Sequence, residues 1–320
     1  MLKRIATAMR HALCAMLVAA ALSISAAAQT MSLEDLSKTF AYDAAAPLDV
    51  KEADLEERAG ARVLGLTYAS PRGGRVPAFL VMPPGKGPFA GIVFMHWGQG
   101  NRWEFLAEAL LMAKAGAASI MIDAPFWRPE AKRMPCGEAD RELYVQMVID
   151  LRRALDVLLS HPEVDKGRLA YVGHSLGATW GGTLAVVERR FHSHVLMGGL
   201  PSLADAIRED VGASPPPPDQ KQKLEDCLKT LEPIESMHYV GKAAPAAILF
   251  QFARVDRFIS AKAAKQYYEA GSEPKVVKWY EGGHEFSDPA ALSDRMEWLQ
   301  QRLKLKPVRP ILEEWMQLRH

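Results

Sequence analysis

Residues 173–177 read Gly-His-Ser-Leu-Gly. Glycines two places either side of a serine let the chain turn sharply from a strand into a helix, leaving the hydroxyl exposed at the bend. The context fits. Leu169 to Val172 is an apolar run of strand type, and Ala178, Gly181 and Gly182 supply small side chains to the helix that follows. A serine hydroxyl is a weak nucleophile until a base takes its proton. The base expected for Ser175 is His284, in Gly282-Gly283-His284-Glu285-Phe286, beyond the last strand-like run. The acid expected to orient it is Asp256, which follows the apolar run Ile248 to Phe252 and lies between Ser175 and His284 in the chain, the order serine, acid, histidine. Asp205, after the preceding strand, is its main competitor. A lone aspartate after a strand also serves as an ordinary turn or cap residue. His96 and His174 flank the site without the chain order and read as turn supports. His161, His192 and His194 fall beside the opposite strand ends and read as surface or packing residues.

Acyl transfer needs N–H donors aimed at the developing oxyanion. One is the N–H of Leu176. The other belongs to His96-Trp97-Gly98-Gln99-Gly100, with Gly98 the first choice and Trp97 the second. Trp97, Trp103, Phe126 and Trp127 lie on two loops at the same end of the expected sheet, accompanied by Arg102 and Arg128. Aromatic walls with two cations suit an apolar or aromatic acyl or alcohol group bearing a carboxylate. Packing of the loops against the body explains the same residues equally well.

These residues need a scaffold, and the hydrophobic pattern supplies one. Strand runs are expected at 62–68, 75–82, 90–95, 118–122, 169–173, 195–197, 246–252 and 275–280. Helical spacing marks 102–115, 138–160, 176–187, 260–270 and 289–303, with Arg152, Arg153 and Asp156 on the outer face of the long second helix. Alternating β and α elements of these lengths imply an α/β fold: eight strands, mostly parallel, with helices on both faces. The rhythm breaks at 200–244, a proline-containing, charged stretch that reads as an insertion overhanging the site. The domain expected is 62–304, preceded by an arm (29–61) and followed by a tail (305–320).

The chain of 320 residues is 49% hydrophobic and has a formal net charge of +1, which offers no basic surplus for nucleic acid. Lys3, Arg4 and Arg10 precede a short apolar run and the small residues Ser25 to Ala28. Residues 1–28 therefore read as a secretory signal peptide cut after Ala28, with an exported (periplasmic or secreted) protein as the product and no stable membrane insertion after cleavage. Cleavage would leave two cysteines, Cys136 and Cys227, and an oxidising destination favours a disulfide between them.

The run Asp165-Lys166-Gly167-Arg168-Leu169-Ala170-Tyr171-Val172-Gly173-His174-Ser175-Leu176-Gly177, with Val255-Asp256 and Gly282-Gly283-His284, resembles the α/β-hydrolase superfamily. It is most similar to the dienelactone hydrolase and prolyl-oligopeptidase-type serine hydrolases. The resemblance spans most of 62–304. It implies a Ser-His-Asp triad that cleaves a small-molecule carboxylic ester through an acyl-enzyme, with no metal or organic cofactor required. Peptidase or amidase chemistry, and a catalytically silent binding protein, are the alternatives. The chain departs from the resemblance in three ways. Dienelactone hydrolases carry cysteine where Ser175 stands, no length remains for an oligopeptidase propeller, and His96-Trp97 replaces the usual His-Gly.

Overall fold

The computed structural model describes residues 30–128, 138–213 and 216–317. The signal-peptide reading of 1–28 and Cys136 lie outside these residues. The described strands form one sheet in the order β1-β2-β3-β5-β4-β6-β7-β8-β9. They are β1 (Lys51–Arg58), β2 (Ala61–Ala69), β3 (Arg75–Met82), β4 (Phe89–Met95), β5 (Ala117–Ile122), β6 (Val164–His174), β7 (Ser193–Met197), β8 (Ala247–Ala253) and β9 (Lys275–Tyr280). β1 to β3 form an antiparallel meander that joins β5 antiparallel, and from β5 through β9 every pairing is parallel.

The sheet thus has nine strands where eight were expected, and the extra one, β1, comes from the presumed arm. Its first seven residues are exposed, so no face of it alternates between apolar and polar in the way that marks a half-buried strand. The central strands show the opposite pattern. β4, β5 and β8 are buried along their whole length, as strands covered on both faces must be.

The helices are α1 (Leu33–Thr39), α2 (Leu106–Ala115), α3 (Glu138–Leu159), α4 (Leu176–Val187), α5 (Leu203–Ala213), α6 (Pro218–Leu231), α7 (Ala261–Ala270), α8 (Pro289–Leu303) and α9 (Arg309–Gln317). They build a core on each face of the sheet. One gathers α3 and α4 through Leu151, Leu155, Leu158, Trp180 and Leu184. The other gathers α2, α8 and α9 through Leu111, Met112, Met296, Leu299 and Leu312, so the expected tail is a packed helix.

The arm is also docked. Leu36 and Phe40 are buried in the first core. Tyr42 Oη donates to Asp156 Oδ2 at 2.8 Å, and Arg152 Nη1 donates to the carbonyl of Phe40 at 2.6 Å. Arg153, expected on the outer face of α3, is instead buried. It donates to the carbonyls of Ala44 and Ala46, because the arm covers that face and its backbone acceptors need partners. The stretch 200–244 holds α5, α6 and three short 3-10 turns between β7 and β8. Cys227, in α6, is buried. No helix among the described residues is long and apolar enough to cross a membrane.

Candidate active site

β6 runs into α4 through Ser175, which has φ 52° and ψ −105°. A non-glycine residue held there costs roughly 1–3 kcal/mol, and the surroundings over-determine it. Ser175 N–H donates to the carbonyl of Met197 at 2.7 Å, and Thr179 N–H and Oγ1 donate back to the carbonyl of Ser175. Two glycines make the turn possible by close approach. A Cβ on Gly173 would stand 2.5 Å from the carbonyl carbon of Gly177, and one on Gly177 would stand 2.5 Å from the carbonyl oxygen of Met95. Backbone cannot yield as a flexible side chain can. Gly177→Ala is therefore expected to destabilise the fold by about 1–3 kcal/mol, read as a lower midpoint in urea with an unchanged slope. An unchanged midpoint would show that the turn has slack.

The acid and base candidates meet directly. His284 Nδ1 donates to Asp256 Oδ2 at 2.7 Å, and the Asp256 side chain is only 1% exposed. Asp256 Oδ1 takes the N–H groups of Phe258 and Ile259 at 2.8 and 3.0 Å. Burial opposes ionisation of Asp256, but the hydrogen bonds from His284 and from these two amides outweigh it and hold the carboxyl below its usual range. The loops themselves are tied together, Val255 N–H donating to the carbonyl of Gly282 at 3.1 Å. Asp205 makes no bond to His284 among the described residues: it sits in the first turn of α5, exposed, and pairs with Arg208 at 3.3 Å.

The imidazole of His284 lies over the carboxyl ends of β6 and β7. A Cβ on Gly198 would be 3.3 Å from His284 Cε1, and the rings of His174 and His284 are 5.0 Å apart. His284 is thus beside the Ser175 turn with Nδ1 occupied and Nε2 left for another partner. Among the hydrogen bonds of the described residues, none joins Ser175 Oγ to His284. Such bonds are often long in a resting site and tighten when substrate binds.

On the oxyanion side, the two candidates in the loop after β4 are distinguishable. Trp97 N–H donates to Glu104 Oε2 at 2.9 Å, whereas Gly98 N–H has no acceptor among the described residues. Leu176 opens α4, where the first N–H groups of a helix have no intrahelical acceptor. His96 holds the loop. Its Nδ1 faces the carbonyl of Trp97 at 2.5 Å, and its Nε2 accepts from Ala124 N–H at 3.1 Å. Burial keeps this imidazole below its ordinary range and so neutral, as an accepting Nε2 requires.

The four aromatic residues divide. Trp97 is at the site, its ring centroid 6.4 Å from that of His174 and 6.5 Å from that of His284. Trp127 reaches the same loop, donating from Nε1 to the carbonyl of Gly98 at 2.8 Å. Phe126 packs toward Tyr144, with centroids 6.4 Å apart. Trp103 is not with them. It stands edge-on to Phe79 at 4.5 Å and lines a separate groove over β1 to β3. Neither cation is unpaired: Arg102 bonds Asp123, and Arg128 bonds Asp150 at 2.6 Å. Pairs this far apart in sequence left no trace that sequence reading could use. Phe258, which sequence reading missed, stands edge-on to His284 at 4.9 Å. With Leu200, Met237, Asp205 and Asp256 it lines a cleft of about 630 Å³ between the insertion and the acid loop. His194, at the far end of the sheet, is fully buried, and burial pushes its imidazole down to about 3.

No family model matches the chain. Among solved structures, it is similar to the acetyl xylan esterase from Paenibacillus sp. R4, at 22% identity and TM-score 0.67 over 85% of this chain and 92% of that one. Acetyl xylan esterase 1 from Thermoanaerobacterium sp. JW/SL YS485 matches at 16% identity and TM-score 0.68, over 85% and 94%. Among curated sequences, it is 33% identical to a peroxisomal succinyl-coenzyme A thioesterase of Mus musculus over 114 residues, 36% of this chain and 24% of that protein. The chain spans about a quarter of the length of the first curated relatives that it matches. The sheet order, the strained Ser175 turn and these likenesses show that the chain has an α/β-hydrolase fold.

Proposed function

We propose that the chain is an exported serine hydrolase that cleaves a small-molecule carboxylic ester through an acyl-enzyme. The observation that carries this is the Asp256–His284 hydrogen bond beside the Ser175 turn. Asp256 fixes the tautomer in which His284 Nδ1 is protonated, so Nε2 is the basic nitrogen. His284 then takes the proton of Ser175 as Oγ attacks the ester carbonyl. The N–H groups of Leu176 and Gly98 receive the oxyanion charge, and Trp97 stays outside that role because Glu104 occupies its amide. Protonated His284 returns its proton to the leaving alcohol, and water repeats the cycle on the acyl-enzyme. The cleft edged by Leu200, Met237 and Phe258 gives one substituent of the ester an apolar wall.

Esterases among the fold neighbours and a thioesterase among the sequence relatives support ester chemistry. Export rests on the leader alone, and it would carry Cys136 and Cys227 to a compartment where thiols oxidise. The test compares a nitrophenyl ester with the anilide of the same acyl group. Turnover of the ester with the anilide at background is expected. Comparable rates on both would move the reading to an amidase, and no turnover of a broad ester panel would favour the silent binding protein.

A further inference from the structure

His174, the residue before the proposed nucleophile, has acceptors on both ring nitrogens. Nε2 lies 2.8 Å from the carbonyl oxygen of His284, and a carbonyl can only accept, so Nε2 carries a hydrogen. Nδ1 lies 2.6 Å from Glu104 Oε1. A neutral ring has one donor and would set a bare Nδ1 against a carboxylate. The other oxygen of Glu104 already takes the Trp97 N–H at 2.9 Å, which favours the ionised carboxyl. We propose that Glu104 and His174 form a partly buried carboxylate–imidazolium pair that positions the oxyanion loop, the nucleophile turn and the base loop against one another.

The geometry makes the pair a junction. Glu104 holds the loop after β4 through Trp97, His174 is covalently joined to Ser175, and Nε2 holds the backbone of the base itself. It also reserves the Trp97 amide, leaving Gly98 as the loop's donor. The His174 side chain is 7% exposed and that of Glu104 20%. Charge-assisted bonds are about twice as strong as neutral ones, so a charged junction holds three loops more firmly than a neutral one. Among the described residues, the other titratable groups near the pair are His284 on the base loop, backed by Asp256, and His96 at the end of β4, beside which lies Asp123, paired with Arg102. Glu104 and His174 are positioning residues here, and that role rests on the ester-hydrolase reading.

Glu104→Gln tests the charge with little change of shape. The amide oxygen can still accept from Trp97, and the NH2 group can donate to a neutral His174 Nδ1, so folding is preserved while the charge is lost. Nitrogen NMR of isotope-labelled histidine near neutral pH is expected to show both His174 nitrogens protonated in the wild type and one in the variant. kcat should fall roughly 10-fold in Glu104→Gln and about 100-fold in Glu104→Ala, with KM changing far less. A neutral His174 in the wild type overturns the pair, and a wild-type kcat in Glu104→Gln overturns its positioning role. The NMR result does not depend on turnover, so it would stand even if Ser175→Ala showed the hydrolase reading to be wrong.

Discussion

Ser175→Ala is expected to lower kcat on an ester substrate by about 10⁴ to 10⁶, with an unchanged urea midpoint. On the proposed mechanism His284→Ala should cost about as much, because the members of a cooperative triad fail together. The expected size follows from what remains. Without Oγ no acyl-enzyme forms, and only the N–H donors and the binding cleft act on a water attack. Stability should hold, because none of the turn's bonds use the hydroxyl: Ser175 N–H and its carbonyl make the contacts to Met197 and Thr179. Alanine at φ 52° is strained much as serine is. Steady-state kinetics on purified protein decides the matter. A variant that retained more than a few per cent of wild-type turnover would move the nucleophile elsewhere.

Asp256→Asn is expected to lower kcat by about 10² to 10⁴ while leaving KM within a few-fold. The asparagine oxygen can still accept the Phe258 and Ile259 amides, so the loop keeps its shape. Its NH2 group, however, would meet Nδ1 and favour the tautomer in which Nε2 carries the proton. A base already protonated on Nε2 cannot take the serine proton there. Asp205→Asn should lie within about twofold of wild type, because Asp205 is exposed and pairs with Arg208, making no bond to His284. The reverse ranking would move the acid to α5.

The chemistry was legible where it is local. Gly173 and Gly177 mark the turn because backbone comes within 2.5 Å of where their side chains would be, a constraint that a five-residue motif records. Asp256 follows a strand whose apolar pattern is plain, and His284 follows a glycine pair beyond the next one, so the acid–base contact could be expected from chain order. β1 could not be read, because an exposed edge strand carries no burial pattern. Glu104 was missed for a different reason. An acid just ahead of a helix is ordinary sequence, and its part in the site depends on His174, 70 residues away. Arg102 and Arg128 suggested a carboxylate-bearing substrate until Asp123 and Asp150 were found beside them. Trp103 shares a loop with Trp97 in sequence, yet the chain carries it to the face of β1 to β3.

A fluorophosphonate probe, which bonds covalently to an activated serine, tests the serine-hydrolase mechanism most directly. After trypsin digestion, the peptide to follow runs from Leu169 to Arg189, and its only serine is Ser175. Labelling is expected to be stoichiometric, confined to that peptide, abolished in Ser175→Ala and strongly slowed in His284→Ala. No adduct on the folded wild-type protein, or an adduct on another peptide that persists in Ser175→Ala, would contradict it.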